Sequence, residues 1–501
     1  MPKLSVKNIL TTLLVCSFSF SSYAADFLIT KYGAKPGAKA LNTIAINKAI
    51  AACAKAGGGR VIVPPGTFRS GTIMMESNVE LHLTQGSTLL GSADLKDYPK
   101  LPQPTYRSLK DPGGWRALIY AHEKTRIAIT GSGTIDGNGA QHGPDPESKL
   151  GSDLDGRPRN VLFISSSFIR VEGIHMRNSG IWNQHYLNCE DVLVDRISVY
   201  NHANRNNDGI DIDGCRRFVL SNSTFDTDDD AIVLKSTGAA PTENVVITNC
   251  IASSFCNAIK AGTESTGGFK NIAISNCIIR PSRNSDKPIF GTPLGISGLA
   301  LEIVDGGIMD GISISNIVIE GTETPLFIRL GNRARKHIPE APVPPVGKIR
   351  NIVISNIVAR NTGNYSPSIT AIPGHYIENV SLSNIQFSNK GGLKSGEYLP
   401  NEESVKEFEK SYPEAKIWKE LPSSGLFIRH AKNIRVNGLT LLSETLDPRI
   451  PVIAADVENL QIRNVSAVIN SGSDLFFQGK ALRNVIIDRP LGWKEVYQSI
   501  N

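Results

Sequence analysis

Apolar and polar positions alternate in a short unit that recurs along the chain and closes on asparagine. It reads Phe218-Val-Leu-Ser-Asn222, Val245-Val-Ile-Thr-Asn249, Ile272-Ala-Ile-Ser-Asn276, Ile312-Ser-Ile-Ser-Asn316, Ile352-Val-Ile-Ser-Asn356 and Val380-Ser-Leu-Ser-Asn384. Weaker copies begin at Ile434, Leu460 and Val485. The asparagines are spaced by 27 (222 to 249 and 249 to 276), 40 (276 to 316 and 316 to 356) and 28 residues (356 to 384). Alternation of period two marks half-buried strands, and so short a unit has no room for a strand, a crossover helix and a return. The pattern therefore predicts an all-β solenoid whose coils stack about 4.8 Å apart, with variable loops at the longer intervals. Ile, Val and Leu face inward, and the Asn side chains of successive coils meet at one corner. The leucine spacing of leucine-rich repeats is absent, and a propeller needs longer, four-stranded units.

Two segments depart from the repeat. Thr43 to Lys55 has helical periodicity and is followed by Gly57-Gly-Gly-Arg-Val-Ile-Val-Pro-Pro-Gly66, which reads as turn, strand and turn. A helix there would cap the open end of the solenoid, where an exposed edge invites aggregation. Because the triple glycine follows the helix, it reads as a stop signal and not as a phosphate cradle. Leu393 to Ser424 interrupts the repeats with a charged stretch, Asn401 to Lys416, for which a loop helix lying over a cleft is expected. The resulting division is a signal peptide over 1–24 and a single β-helix domain over 25–501, with the cap and first coils in 25–95 and the insertion in 393–424.

Composition changes this picture in three places. Lys3 and Lys7, an apolar stretch from Ile9 to about Phe20 and the small-residue site at Ser22-Tyr23-Ala24 predict an exported chain, periplasmic or secreted, that is soluble once cleaved. Six cysteines then remain. Cys189, Cys215, Cys250 and Cys277 each follow an Asn or Gly at corresponding points of successive repeats, which predicts stacked buried thiols, although export would permit disulfides. The formal charge of +6 includes both leader lysines. So slight a surplus fits an anionic glycan partner without requiring one, and nothing points to nucleic acid or a membrane.

The chemistry concentrates in two acidic groups, Asn206-Asn-Asp208-Gly-Ile-Asp211-Ile-Asp213 and Thr227-Asp-Asp229-Asp230-Ala-Ile-Val-Leu-Lys235. Asp208 and Asp229 are separated by close to one solenoid turn, so both groups can share a face. Crowded carboxylates raise one another's proton affinity, so one can stay protonated while others remain ionised. That division suits glycosidic cleavage, in which one acid protonates the leaving oxygen and another carboxylate activates water. A lone Asp-Gly would be read as a turn. Two such clusters in register are not.

At these residues the chain resembles family 28 of the glycoside hydrolases, the polygalacturonases and rhamnogalacturonan hydrolases. Asn207-Asp208-Gly209 stands where the family has Asn-Thr-Asp-Gly, and Asp229-Asp230 where it has paired aspartates. The likeness extends to Tyr32-Gly33-Ala34, Gly57-Gly58-Gly59, Leu81-His-Leu and Gly131-Ser-Gly-Thr-Ile-Asp-Gly137. It implies a right-handed parallel β-helix and an inverting glycosidase acting on an acidic pectic polysaccharide. Asp229 would be the general acid, and Asp208 and Asp230 would hold and deprotonate the water. No metal or cofactor is implied.

Two family motifs are missing. Where polygalacturonases carry Gly-His-Gly, the chain has Phe255-Cys-Asn-Ala258, which leaves Cys256 or Asn257 at the histidine's place. The galacturonate-gripping Arg-Ile-Lys falls near Ala300-Leu301-Glu302. Lys260 and Arg329, which interrupt apolar strands, are the best substitute carboxylate partners, with Lys235 a third. Asn207, His185 and Glu302 complete the expected substrate contacts, although a satisfied structural role for His185 is an equal alternative. Gly262-Thr263-Glu264, Glu302 with Val304 to Gly307, and Arg429-His430 resemble a bacterial branch of the family. Two other functions stay open: a calcium-dependent polysaccharide lyase on the same solenoid, and a non-catalytic glycan-binding solenoid.

Overall fold

Every strand pairing among the described residues is parallel, and the strands join into one 35-stranded sheet that winds on itself. The computed structural model describes residues 26–101, 115–143, 156–284, 286–468 and 474–499. A typical coil has three strands, such as Gln184–Leu187, Glu190–Asp195 and Ser198–Asn201, which pair with Ile210–Asp213, Arg216–Ser221 and Thr224–Thr227 of the next coil. The predicted alternation decides which side chains enter. Val192, Val194, Phe218, Leu220, Val245, Ile247, Ile272 and Ile274 are buried in one continuous core, while Leu193, Val219 and Val246 between them face outward. Each full burial contributes roughly 1.5–3 kcal/mol before chain entropy is counted.

The corner asparagines lie in the left-handed region, with φ between +52° and +57° from Asn222 to Asn384. Asn tolerates that conformation better than other side chains that carry a Cβ, which is why it ends each unit. Asn249 donates to Asn222 at 3.2 Å, and Asn316, Asn356 and Asn384 each donate to the asparagine one coil before, at 3.1, 3.0 and 2.8 Å. Cys189, Cys215, Cys250 and Cys277 are free buried thiols, and Cys189 N–H points at Cys215 Sγ from 3.4 Å.

The helix α1 spans Thr43–Lys55 and closes the N-terminal end of the solenoid with Ile46, Ala49, Ile50 and Cys53 turned inward. Gly57 ends it at φ +97°, where a Cβ would be strained. The described residues hold no helix long and apolar enough to cross a membrane. The expected leader lies outside the described residues.

The 393–424 insertion departs from expectation. It contains no α-helix, only the single 3-10 turns Glu402–Ser404 and Ala415–Ile417. The carbonyls that a helix would use internally are taken by tertiary donors. Val405 O and Glu407 O accept from Arg429 and Arg329, and Glu409 O from Asn332 N–H at 2.6 Å. Pro400 precedes the charged stretch and Pro413 lies within it, where it would break such a helix. Val405, Ala415, Trp418 and Leu421 instead pack with Cys256, Ile296, Phe327 and Phe427, fastening the insertion to the coils that follow the acidic cluster.

Candidate active site

Register brings the two acidic motifs together. Ile210 pairs with Ile232, and Ile232 with Ile259. Two positions before each of these, Asp208, Asp230 and Asn257 form one column on adjacent coils. Asp229 stands beside that column. Asp208 and Asp230 are buried, whereas Asp229 is partly exposed and is the member of the trio that reaches solvent.

Their surroundings differ. Asp230 Oδ1 accepts from Asn257 N–H at 3.0 Å and from Asn257 Nδ2 at 2.7 Å, and Oδ2 accepts from Lys260 Nζ at 3.0 Å. Three donors with no acceptor capacity converge on it, an arrangement that suits a carboxylate. Asp229 accepts from Asp230 N–H at 2.9 Å and weakly from Asn206 Nδ2 at 3.4 Å. Burial of its carboxyl and the neighbouring Asp230 raise its pKa to about 6, against the opposing pull of Lys260. Burial, then Asp211 and Asp229, push Asp208 well above the ordinary carboxylate range. Burial carries Asp211 to about 7 despite Lys235. The cluster therefore holds protons above the ordinary carboxylate range, and Asp229, its partly exposed member, keeps its own up to about pH 6.

Two ammonium groups neutralise the site from below. Lys235 Nζ lies 3.4 Å from Asp211 and Glu264 and 3.8 Å from Asp208. Burial disfavours its charge, but Glu264, Asp211 and Asp208 outweigh burial and hold the proton firmly. Lys260 is retained in the same way, chiefly by Asp230. Asp229, Asp230 and Cys256 bring their ligand atoms within 4.8 Å of one another, which a cation could exploit, yet the Lys260 ammonium already supplies positive charge at that point.

The structure buries the expected substrate contacts. Asn207, His185, Lys235, Lys260, Glu302 and Arg329 are each 5% exposed or less. Asn207 donates to Ser179 O and Ile181 O at 3.0 and 2.9 Å and shapes the turn before Asp208. His185 bonds Asp213 at 3.1 Å and packs edge-on against Trp115 and Trp182; burial lowers its pKa to about 4, so it is a neutral structural residue. Arg329 donates to the carbonyls of Ala371 and Glu407 and lies over Trp418, so it anchors the insertion. Lys235 and Lys260 serve the protein's own carboxylates. Asn257 grips Asp230, and Cys256 lies beside it, so both alternatives for the missing histidine are at the site. Arg333, clamped to Asp305 at 3.0 Å, and Arg335, 2.9 Å from Glu264, were not anticipated. Their basic run, Arg333-Ala-Arg335-Lys336, was the available signal.

Glu302 is fully buried and neither carboxyl oxygen has a hydrogen-bond partner. Burial pushes its pKa to about 8, against Lys260. The unfolded chain releases this proton near 4.5 and the folded one only near 8, so its contribution to stability declines as pH rises between those values. Glu302→Gln cannot lose a proton. Thermal unfolding of this variant should accordingly show a flatter pH dependence from 5 to 8 and a higher midpoint than the parent at pH 8. Parallel curves would contradict the assignment.

Comparison with known proteins agrees with this architecture. The chain is 25% identical over 417 residues to exo-poly-alpha-D-galacturonosidase of Dickeya chrysanthemi, covering 72% of this chain and 66% of that protein, so it spans just under two thirds of that relative's length. It is likewise 25% identical over 404 residues to a probable polygalacturonase of Vitis vinifera, covering 75% of this chain and 77% of the relative. An exopolygalacturonase from Thermotoga maritima superposes with a TM-score of 0.61 at 21% identity, over 83% of this chain and 92% of the other, and shares the right-handed parallel β-helix. The model of Glycosyl hydrolases family 28 matches residues 53–406, well over half of the sequence, and the chain belongs to that family.

Proposed function

We propose that the protein is an exported hydrolase of an acidic pectin-type polysaccharide that cleaves O-glycosidic bonds with inversion. One observation carries the reading: a partly exposed carboxyl that keeps its proton to about pH 6, Asp229, adjoins a carboxylate gripped by three donors, Asp230. Asp229 gives its proton to the glycosidic oxygen as the bond to the anomeric carbon breaks. Asp230, with Asp208 stacked beside it, holds a water, takes its proton and directs the oxygen to the opposite face of that carbon. Inversion is supported by the family resemblance and not by spacing, since Asp229 and Asp230 approach within 4.8 Å, closer than the about 6.5–9.5 Å usual for inverting pairs. One water is consumed, and the proton passed to Asp230 restores the starting state by exchange with Asp229 through solvent. The names of the relatives support a pectic substrate, and the leader-like pattern of residues 1–24 supports export, periplasmic or secreted.

Proton NMR of the first product from an oligogalacturonide tests the mechanism, with the inverted anomer expected. A retained anomer would require a covalent intermediate and overturn the roles of Asp208 and Asp230. The same reaction run with a chelator separates the lyase alternative. Hydrolysis should continue unchanged, whereas a calcium-dependent lyase would stop and would yield an unsaturated, ultraviolet-absorbing uronate.

A further inference from the structure

Tyr412 lies in the insertion, 152 residues beyond Lys260, and its hydroxyl is 3.3 Å from Lys260 Nζ. The same ammonium is 3.0 Å from Asp230. The residue is nevertheless 51% exposed, so its two ends occupy different environments. The hydroxyl is sunk among charges, and burial holds the phenol far above its ordinary range. The exposed remainder of the residue lies one Lys260 ammonium away from the Asp230 carboxylate. Its position is constrained: the ring centroid is 5.5 Å from Lys260 Nζ and 5.9 Å from the Arg333 guanidinium, which is itself tied to Asp305 at 3.0 Å and to Thr263 Oγ1 at 3.1 Å. Backbone bonds from Asn332 N–H to Glu409 O and from Ser411 N–H to Phe408 O hold the preceding turn.

Exposed tyrosines are common and carry little meaning alone. Here an open aromatic surface is joined, through two hydrogen bonds, to the carboxylate that activates water. Sugars present an apolar C–H face that stacks well on aromatic rings, and a rigid ring loses little entropy on binding. Lys260 and Arg333 beside the ring are already paired with Asp230 and Asp305, so the platform is an aromatic face set among neutralised charges.

We propose that Tyr412 is a sugar platform and a positioning residue at once: its ring stacks a pyranosiduronate next to the scissile bond, and its hydroxyl fixes Lys260 and through it Asp230. The proposal rests on the hydrolase reading above and adds a residue from outside the aspartate motifs.

Two substitutions separate the two parts. Binding of trigalacturonate is measured by calorimetry in the Asp229→Asn background, and kinetics in the otherwise intact enzyme. Tyr412→Ala should weaken binding roughly five- to tenfold through loss of the ring, and Tyr412→Phe should leave it within about twofold. In turnover, Tyr412→Phe should lower kcat about three- to tenfold at unchanged KM, because only the bond to Lys260 is lost. A purely structural tyrosine would not divide KM from kcat in this way. Should Tyr412→Ala fail to fold, Tyr412→Leu fills similar space without a π face and should show the same loss of binding. Parental affinity in the variant lacking the ring, or parental kcat in Tyr412→Phe, overturns the proposal. If the unsubstituted enzyme neither binds nor hydrolyses any galacturonide, the hydrolase reading fails instead, so the two failures are distinguishable.

Discussion

Asp229→Asn is expected to lower kcat by about 10²–10⁴-fold while leaving the fold intact. The amide can still accept from Asp230 N–H and gives up only the weak contact from Asn206 Nδ2, but it has no carboxyl proton to give to the leaving oxygen. The pH dependence gives a second reading. With the Asp229 pKa raised to about 6 by burial and Asp230, the acid is loaded below that pH and empties above it, so kcat/KM should fall as pH rises through about 6. That limb should vanish in the variant. Asp230→Asn should cost a comparable factor, and the double variant little more than either alone, because removing one member idles the other. Undiminished turnover by Asp229→Asn would return the cluster to a structural role.

Lys260→Met is expected to damage stability and turnover together. Lys260 is one of three donors on the buried Asp230, and deleting one partner of a buried pair is far more costly than the pair's net contribution. A loss of about 3–5 kcal/mol is the usual range for an uncompensated buried charge, readable by denaturant unfolding. Asp230→Asn in the same chain should recover part of that stability without recovering activity, since the stranded charge is gone but so is the base. The pattern distinguishes this assignment from the grip on substrate expected from sequence. A substrate-binding lysine would raise KM and leave unfolding unchanged. Normal unfolding with normal kcat would show that Asp230 does not depend on Lys260.

The two expectations for Lys260 illustrate what can be read along a chain. A lysine interrupting an apolar strand signals a buried cation, and the structure contains one. The partner of that cation is another matter. Lys260 pairs in register with Val233, and only the stacking of that coil on the one before sets its ammonium over Asp230. The same holds for Arg329, whose partners are the carbonyls of Ala371 and Glu407, one of them on the insertion. Charged stretches are equally ambiguous. Asn401 to Lys416 has the composition of a surface helix, but Arg329, Arg429 and Asn332 N–H take the carbonyls that such a helix would need.

What the sequence determined by itself was everything governed by local repetition. Strand alternation, the left-handed asparagine corners, the capping helix at Thr43–Lys55, the stacked thiols and the two aspartate motifs follow from short-range periodicity and backbone preference, which act within a few residues and repeat from coil to coil. Only the tertiary structure decided which aspartate reaches solvent, which cations neutralise the others, and that Tyr412 adjoins them. Those outcomes depend on register between coils and on an insertion returning from more than a hundred residues away. In a buried, low-dielectric cluster, a shift of a few ångströms in a charge determines which carboxyl keeps its proton.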